Sequence, residues 1–223
     1  MNSFMQTSTM DSTELIDAGP FGRWLVQAQA ALRGRGGMHV PCGECVGCCT
    51  SHYSILLRPD DAALDIVPAS VLSAVPGMHY PHAKMNPRGD GTCPMFNAGR
   101  CSIYAQRPQT CLDYDCRVFA AAGLEAGQDK PVINRRIREW KFSYESDAER
   151  ALHRAIQSAA RFIQHHADAF PAGWVPRVPA GVAVLALKVH HLFITSNQPV
   201  ASIADQVTAV MQASIAFDQS NTL

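Results

Sequence analysis

The chain has 223 residues, 47% of them apolar and 17% charged, with 19 basic side chains against 19 acidic ones. A chain of this length buries a sizeable core without disulfide staples, and its charged fraction lies below the roughly 25% usual for soluble domains. With zero formal net charge and no Lys/Arg-rich run it offers no long-range field to a phosphate backbone, so nucleic acid is not an expected partner.

Met1 to Asp17 is polar and rich in Ser and Thr, with no basic segment leading into an apolar one, so residues 1–19 read as a flexible polar leader and not as a secretory signal. With Asp17 just upstream, Pro20 to Arg33 sets Phe21, Trp24, Leu25, Ala28 and Leu32 on one face of an amphipathic helix, and Gly34, Gly36 and Gly37 end it. Tyr53 to Leu57 is predicted as a short strand. Pro59, Asp60 and Asp61 open a short helix over Ala62 to Val67, which Pro68 stops. Pro76 to Thr92 has the composition of a loop.

From about Lys130 the pattern turns helical. Ser146 to Glu149 is a capping box, and Leu152, Ala155, Ile156, Ala159, Ile163, Ala167 and Phe170 follow at three- and four-residue steps. Val182 to Ile194 is apolar enough for a buried helix, and Pro199 opens another that carries Ile203, Val207, Val210 and Met211. Lys188, His190 and His191 break the longest apolar stretch well short of the roughly 18 residues a membrane span needs. The expected fold is mainly α with a small irregular α+β cysteine-rich metal-binding unit. Residues 20–128 hold the first helix and that unit, and 129–223 form a helical region packed on it. The protein is expected to be soluble and cytoplasmic, with no membrane association.

All eight cysteines lie between Cys42 and Cys116. In a reducing compartment, thiols set this close together read as metal ligands or redox groups before disulfides. Cys42, Cys45 and Cys48 recur at every third residue and Cys49 follows directly. A two-residue gap lets a tight turn bring successive sulfurs within about 4 Å, and Gly43 and Gly47 supply the permissive backbone. Ferredoxin-type ligation also runs C-x2-C-x2-C and is completed by a remote Cys-Pro, which Cys93-Pro94 supplies. The second group is Cys93, Cys101, Cys111 and Cys116, with Asn97-Ala98-Gly99-Arg100 reading as a hairpin-like turn that returns Cys101 towards Cys93. Two tetrathiolate sites are compatible with this count, as is one cluster drawing on both groups. The side chains of neighbours such as Cys48 and Cys49 tend to diverge, so the two need not serve one centre. Arg107 is placed to offset thiolate charge on a bound cluster.

The runs CGECVGCC, CPMF, GRCSIY and QRP, with the cysteine that follows, resemble the zinc- or iron-chelating CxxCxxCC domain family, also called YkgJ-type cysteine-cluster proteins. The resemblance covers about Cys42 to Cys116. It implies a metal or iron–sulfur centre on Cys42, Cys45, Cys48, Cys49, Cys93, Cys101 and Cys111, with Tyr104, Arg107 and Pro108 in the same signature. The family leaves the metal open; the cofactor expected here is an iron–sulfur cluster, of the 4Fe–4S kind, used for redox or cluster-dependent chemistry with a redox partner or protein substrate. Zinc in a structural or protein-interaction module is the alternative. Because the same domain occurs in flagellin lysine N-methylases, a metal-dependent protein-modifying enzyme is a further one.

Other candidates are weaker. The pairs His165-His166 and His190-His191 sit within helices, where adjacent side chains point about 100 degrees apart and cannot share a metal. His52, three residues after Cys49, is the one histidine placed to join a mixed site. Asp113 and Asp115 read as solvated carboxylates before acid–base groups, and Arg135, Arg136, Arg138 and Lys141 as a solvated helix face. No P-loop, Rossmann, H-E-x-x-H or G-x-S-x-G signature is present, and C-x3-C-x2-C is absent.

Overall fold

The apolar stripe of the first helix forms one wall of the core. In the computed structural model, which describes residues 15–38, 40–75, 83–194 and 202–220, Phe21, Trp24, Leu25 and Ala28 are the buried face of α1 (Phe21–Leu32). Pro20 stays extended and leaves the helix to begin at Phe21. Asp17 caps no helix; its Oδ1 accepts from the Gly19 N–H at 2.8 Å. Just before the helix, β1 (Ile16–Pro20) pairs in parallel with β7 (Trp140–Ser143), and the register slips between Asp17 and Gly19. Ala18 is the extra residue of this bulge, so its carbonyl is free to accept from Arg117 Nη1 at 3.0 Å.

The helices α2 (Gln109–Asp113), α3 (Arg117–Ala122), α4 (Pro131–Glu139), α5 (Asp147–His165), α6 (Pro179–Val189) and α7 (Ile203–Gln219) follow. α3, α5 and α6 pack on one another and α7 packs on α6. One apolar core runs from Phe21 through Ile156 and Leu187 to Val210. The capping box at the start of α5 forms in part. Ser146 Oγ accepts from the Glu149 N–H at 3.2 Å, while Glu149 Oε2 reaches back one residue further than expected, to the Glu145 N–H at 2.9 Å. α5 ends at His165, and a 3-10 turn over Ala167–Ala169 carries the apolar pattern on to Phe170. α6 starts at Pro179, buries most of its circumference, and gives way to a 3-10 turn at His190–Phe193. α7 begins after Ser202, whose Oγ caps it; Pro199 lies outside the described residues.

A smaller core belongs to the cysteine-rich segment. β2 (Ile55–Leu57), β3 (Leu72–Ala74) and β4 (Ala83–Met85) form an antiparallel sheet in the order β2-β4-β3, over Leu57, Ala63, Val67 and Met85. The stretch read as a loop thus contains β4, and its residues 76–82, with His79 and His82, lie outside the described residues. Residues 62–65 make a 3-10 turn in place of a helix. Asp61 works across the fold: Oδ2 accepts from the Arg58 N–H and Oδ1 from the Gln109 N–H that opens α2, each at 2.7 Å. β5 (Phe96–Asn97) and β6 (Arg100–Cys101) form the expected hairpin, with Ala98 and Gly99 both at positive φ, as a twisted two-residue turn requires.

β7 corrects the reading of the C-terminal half as all-helical. Trp140 and Phe142 point inward and Lys141 and Ser143 outward, but a four-residue alternation between two helices is too short to stand out from their period.

A buried polar link joins these parts. Asp115 and Arg117, only 7% and 5% exposed, form an ion pair at 2.9 Å. Asp115 Oδ2 also accepts from Trp24 Nε1 at 2.8 Å, and Arg117 reaches the Ala18 carbonyl. Removing one partner of such a pair leaves the other charge uncompensated in the core, at a cost of about 3–5 kcal/mol. Asp115→Ala is therefore expected to lower unfolding stability by that order in urea titration; a loss under about 1 kcal/mol, the size of an exposed pair, would contradict the assignment.

Two histidines set the acid side of stability. His153 stacks on Phe21 with ring centroids 4.6 Å apart, and His190 donates from Nδ1 to the Leu187 carbonyl at 2.8 Å. Burial holds both below the ordinary value of 6.5. The unfolded chain then takes up these protons at higher pH than the folded one, so stability is complete above about pH 6.5 and declines as pH falls through that region. The urea midpoint should fall on acidification from neutral pH, and His153→Gln should flatten that slope.

Candidate metal centre

The first cysteine group is shaped by two tight turns. Gly43 at φ +55 lets the Cys45 N–H reach the Cys42 carbonyl at 3.0 Å. A 3-10 turn over Gly47–Thr50 then carries Cys48 and Cys49. Gly47 is buried beneath α4, where an added Cβ would lie 3.2 Å from Ile133 and 3.5 Å from the Cys45 sulfur. Lys130 holds the far side of this turn by donating to the Ser51 carbonyl at 3.1 Å.

The second group is brought up from three directions. The Cys93 N–H donates to the Cys49 carbonyl at 2.7 Å, which joins the two groups directly. The β5–β6 hairpin sets Cys101 opposite Phe96, whose N–H bonds the Cys93 carbonyl at 2.9 Å. Cys111 sits in α2, fixed to β2 by the Thr110 hydroxyl on the Leu56 carbonyl at 2.7 Å. Cys116 precedes α3 and is buried, and its sulfur accepts from Trp140 Nε1 at 3.1 Å.

All eight cysteines line one cavity of about 390 Å³, whose other walls include Met38, Met85, Met95, Ile55, Ile103 and Ile133. Soft thiolate donors in a largely apolar shell suit zinc or iron–sulfur clusters and do not suit hard oxygen-seeking cations. Among the described residues no three His, Cys, Asp or Glu side chains converge closely enough to hold a single metal ion. The Cys48 and Cys49 sulfurs are 4.0 Å apart. A depression of about 920 Å³ lined by Gln164, Phe170, Pro176 and Val182 lies apart from the cysteines and contains no metal-binding cluster.

Electrostatics set the protonation of the cavity's thiols. Burial, and then the charge of neighbouring thiols, pushes Cys42 up to about 11, and burial pushes Cys111 and Cys116 up to about 12. Burial also raises Cys93. Cys48 runs the other way, down to about 7, because Cys49 donates to it and Arg107 lies near; Cys49 is raised by the same hydrogen bond. Crowded thiols keep their protons until a positive centre replaces them, so metal uptake here is linked to proton release.

Arg107 lines the cavity, with its guanidinium 4.1 Å from the Tyr104 ring and Nη1 donating to the Tyr104 carbonyl at 2.7 Å. Four sequence readings change. His52 does not line the cavity; its N–H bonds the Gly91 carbonyl at 2.9 Å and its ring covers Gly91. Asp115 is buried in the link to Trp24 and Arg117, and is not a solvated carboxylate. Asp113 accepts from Arg58 at 3.1 Å and Gln109 at 2.6 Å. Arg136, read as part of a solvated face, lies against the cavity and pairs with Glu139 at 3.3 Å. Trp140 was missed altogether, and only the tertiary approach of β7 to Cys116 reveals it.

Residues 41–133 match the family model described as "CxxCxxCC: Putative zinc- or iron-chelating domain". The matched segment, less than half of the chain, is similar to a CxxCxxCC domain. It contains all eight cysteines and α2 and α3 and ends within α4, so β7 and the helices from α5 onward lie outside it. No curated protein and no solved structure matches the chain. Among the described residues no helix is long and apolar enough to cross a membrane.

The contact of His52 with Gly91 tests how the matched segment joins its two cysteine groups. A Cβ on Gly91, at φ +83, would fall 2.1 Å from the His52 ring. Gly91→Ala carries a left-handed backbone cost of about 1–2 kcal/mol and must also displace that ring. The variant should lose metal stoichiometry, measured by elemental analysis, with the helical circular dichroism signal kept; unchanged metal content would show that the join is not needed.

Proposed function

We propose that the matched segment holds an iron–sulfur cluster, of the 4Fe–4S kind, and uses it for electron transfer or cluster-dependent chemistry. The supporting observation is the ring of eight thiols around one apolar-walled cavity, spaced more widely than a single ion needs. Zinc binds sulfur at about 2.3 Å, so two thiolates on one tetrahedral zinc lie about 3.8 Å apart. The Cys48 and Cys49 sulfurs, 4.0 Å apart, belong to sequence neighbours. A multi-iron cluster spreads its ligands further apart and uses thiolates alone.

The residues present fit such a group by their chemistry. A bound cluster would supply one-electron transfer, and the chain's own part is to hold and insulate it. Such a cluster takes four thiolates, so four of Cys42, Cys45, Cys48, Cys49, Cys93, Cys101, Cys111 and Cys116 would give up their protons to hold it and the other four would line the cavity as thiols. The methionine and isoleucine walls exclude water, which tunes the potential. Arg107 offsets the charge of Cys48 and Cys111, both of which sense it. A redox partner or protein substrate in the reducing cytoplasm completes the reading.

Anaerobic purification of the full chain, followed by iron, zinc and acid-labile sulfide analysis and a visible spectrum, tests it. Iron and sulfide in near-equal amounts, with a chromophore that bleaches on reduction, are expected. Stoichiometric zinc without sulfide would replace this reading with a zinc-stabilised module, which a chelator would unfold.

A further inference from the structure

We propose that the open groove beside the cysteine cavity is a binding site for a small zwitterion, an α-amino acid, held by Arg107 at its carboxylate and by Asp17 at its ammonium group. The site uses none of the thiols, and it rests on the metal-binding reading above only for what the ligand lies next to.

The groove measures about 590 Å³, a size that suits a small molecule. Asp17, Ala18 and Gly19 of β1 line it from one element, and Tyr104 and Arg107 from another. Val40, Tyr104 and Arg107 line the cysteine cavity as well, so a molecule in the groove lies against the wall of the thiol site.

Charge selects the ligand. The Arg107 guanidinium is held from its own turn, by the Tyr104 ring at 4.1 Å and the Tyr104 carbonyl at 2.7 Å. Neither contact neutralises it, and among the described residues no carboxylate pairs with it. A planar fork fixed in this way is suited to a carboxylate. Asp17 gives Oδ1 to the Gly19 N–H at 2.8 Å, and among the described residues it pairs with no cationic side chain. Arg117 also lines the groove, but Asp115 balances its charge at 2.9 Å and its Nη1 holds the Ala18 carbonyl at 3.0 Å, which makes it part of the wall. Two opposite charges thus face one groove without pairing with each other, an arrangement that a ligand of both signs completes. A simple carboxylate would meet Asp17 as a like charge, and a simple amine would meet Arg107 in the same way. Tyr104, 62% exposed, offers aromatic surface to the ligand's apolar part.

The test is titration of the full chain followed by ligand-observed NMR. The probes are glycine, L-leucine, 4-methylpentanoate, which is leucine without its amine, and 3-methylbutylamine, which is leucine without its carboxylate. Both amino acids should bind saturably, and leucine about tenfold or more tighter than either fragment. Asp17→Asn should weaken leucine by about tenfold and leave 4-methylpentanoate no weaker, whereas Arg107→Gln should weaken both. Asp17 lies in β1, outside residues 41–133, so its variant keeps the test open where an Arg107 variant loses metal or fails to fold. No saturable binding of glycine or leucine, a fragment that binds as tightly as leucine, or an equal loss of leucine and 4-methylpentanoate in Asp17→Asn would each overturn the site. Leucine binding to a chain that holds no metal would sustain the site and defeat only the metal-binding reading; a metal-loaded chain that binds no amino acid would defeat the site alone.

Discussion

The placement of the Asp115 carboxylate one residue before Cys116 is the constraint that the rest of this structure depends on. A charge buried there must be balanced, and Arg117, two residues on, balances it at 2.9 Å. The same carboxylate takes the indole N–H of Trp24, and the same guanidinium takes the carbonyl of Ala18. Two stretches remote in sequence are thus tied to one point: the contiguous β1 and α1, and the start of α3. A pair of this kind adds little net stability over an apolar replacement. What it supplies is placement, because few other arrangements of these segments satisfy all of its hydrogen bonds.

That placement positions the cysteine cavity. Cys116 stands between the two charged residues, so fixing them directs its sulfur to one side, where β7 presents Trp140. β7 is held there by parallel pairing with β1. The bulge at Ala18 serves both ends of the arrangement, freeing a carbonyl for Arg117 while letting Gly19 and Pro20 resume the register with β7. The N-terminal strand, the charged pair and the innermost thiol form one mechanical unit, although only the thiol carries metal chemistry.

The cavity lies between two apolar cores of unequal size, one of packed helices and one under a three-stranded sheet. Its thiols are crowded and partly buried, which raises most of them above the ordinary thiol range. Thiols that keep their protons carry no charge, so the site can take a cation only as those protons leave, and Arg107 and Arg136 in its lining offset the thiolate charge that results.

The helices were legible because their apolar residues repeat over many turns: α1 and α5 match their patterns to within a residue or a turn, and the Ala98–Gly99 turn carries its own backbone signature. The cysteine spacing pointed to metal chemistry because few other uses of thiols need regular short intervals. β7, the burial of Asp115, the turn of Arg136 towards the cavity and the loss of His52 to Gly91 were not legible. Each depends on which remote segment arrives opposite, and a local pattern holds no record of that. By itself the sequence determined that the chain is mainly helical and that its thiols come in closely spaced groups, since both follow from intervals along one chain. Only the tertiary structure decided that all eight thiols share one cavity and that a tryptophan from a distant strand reaches one of them, since these depend on the pairing of β1 with β7 and on the balance of one buried charge.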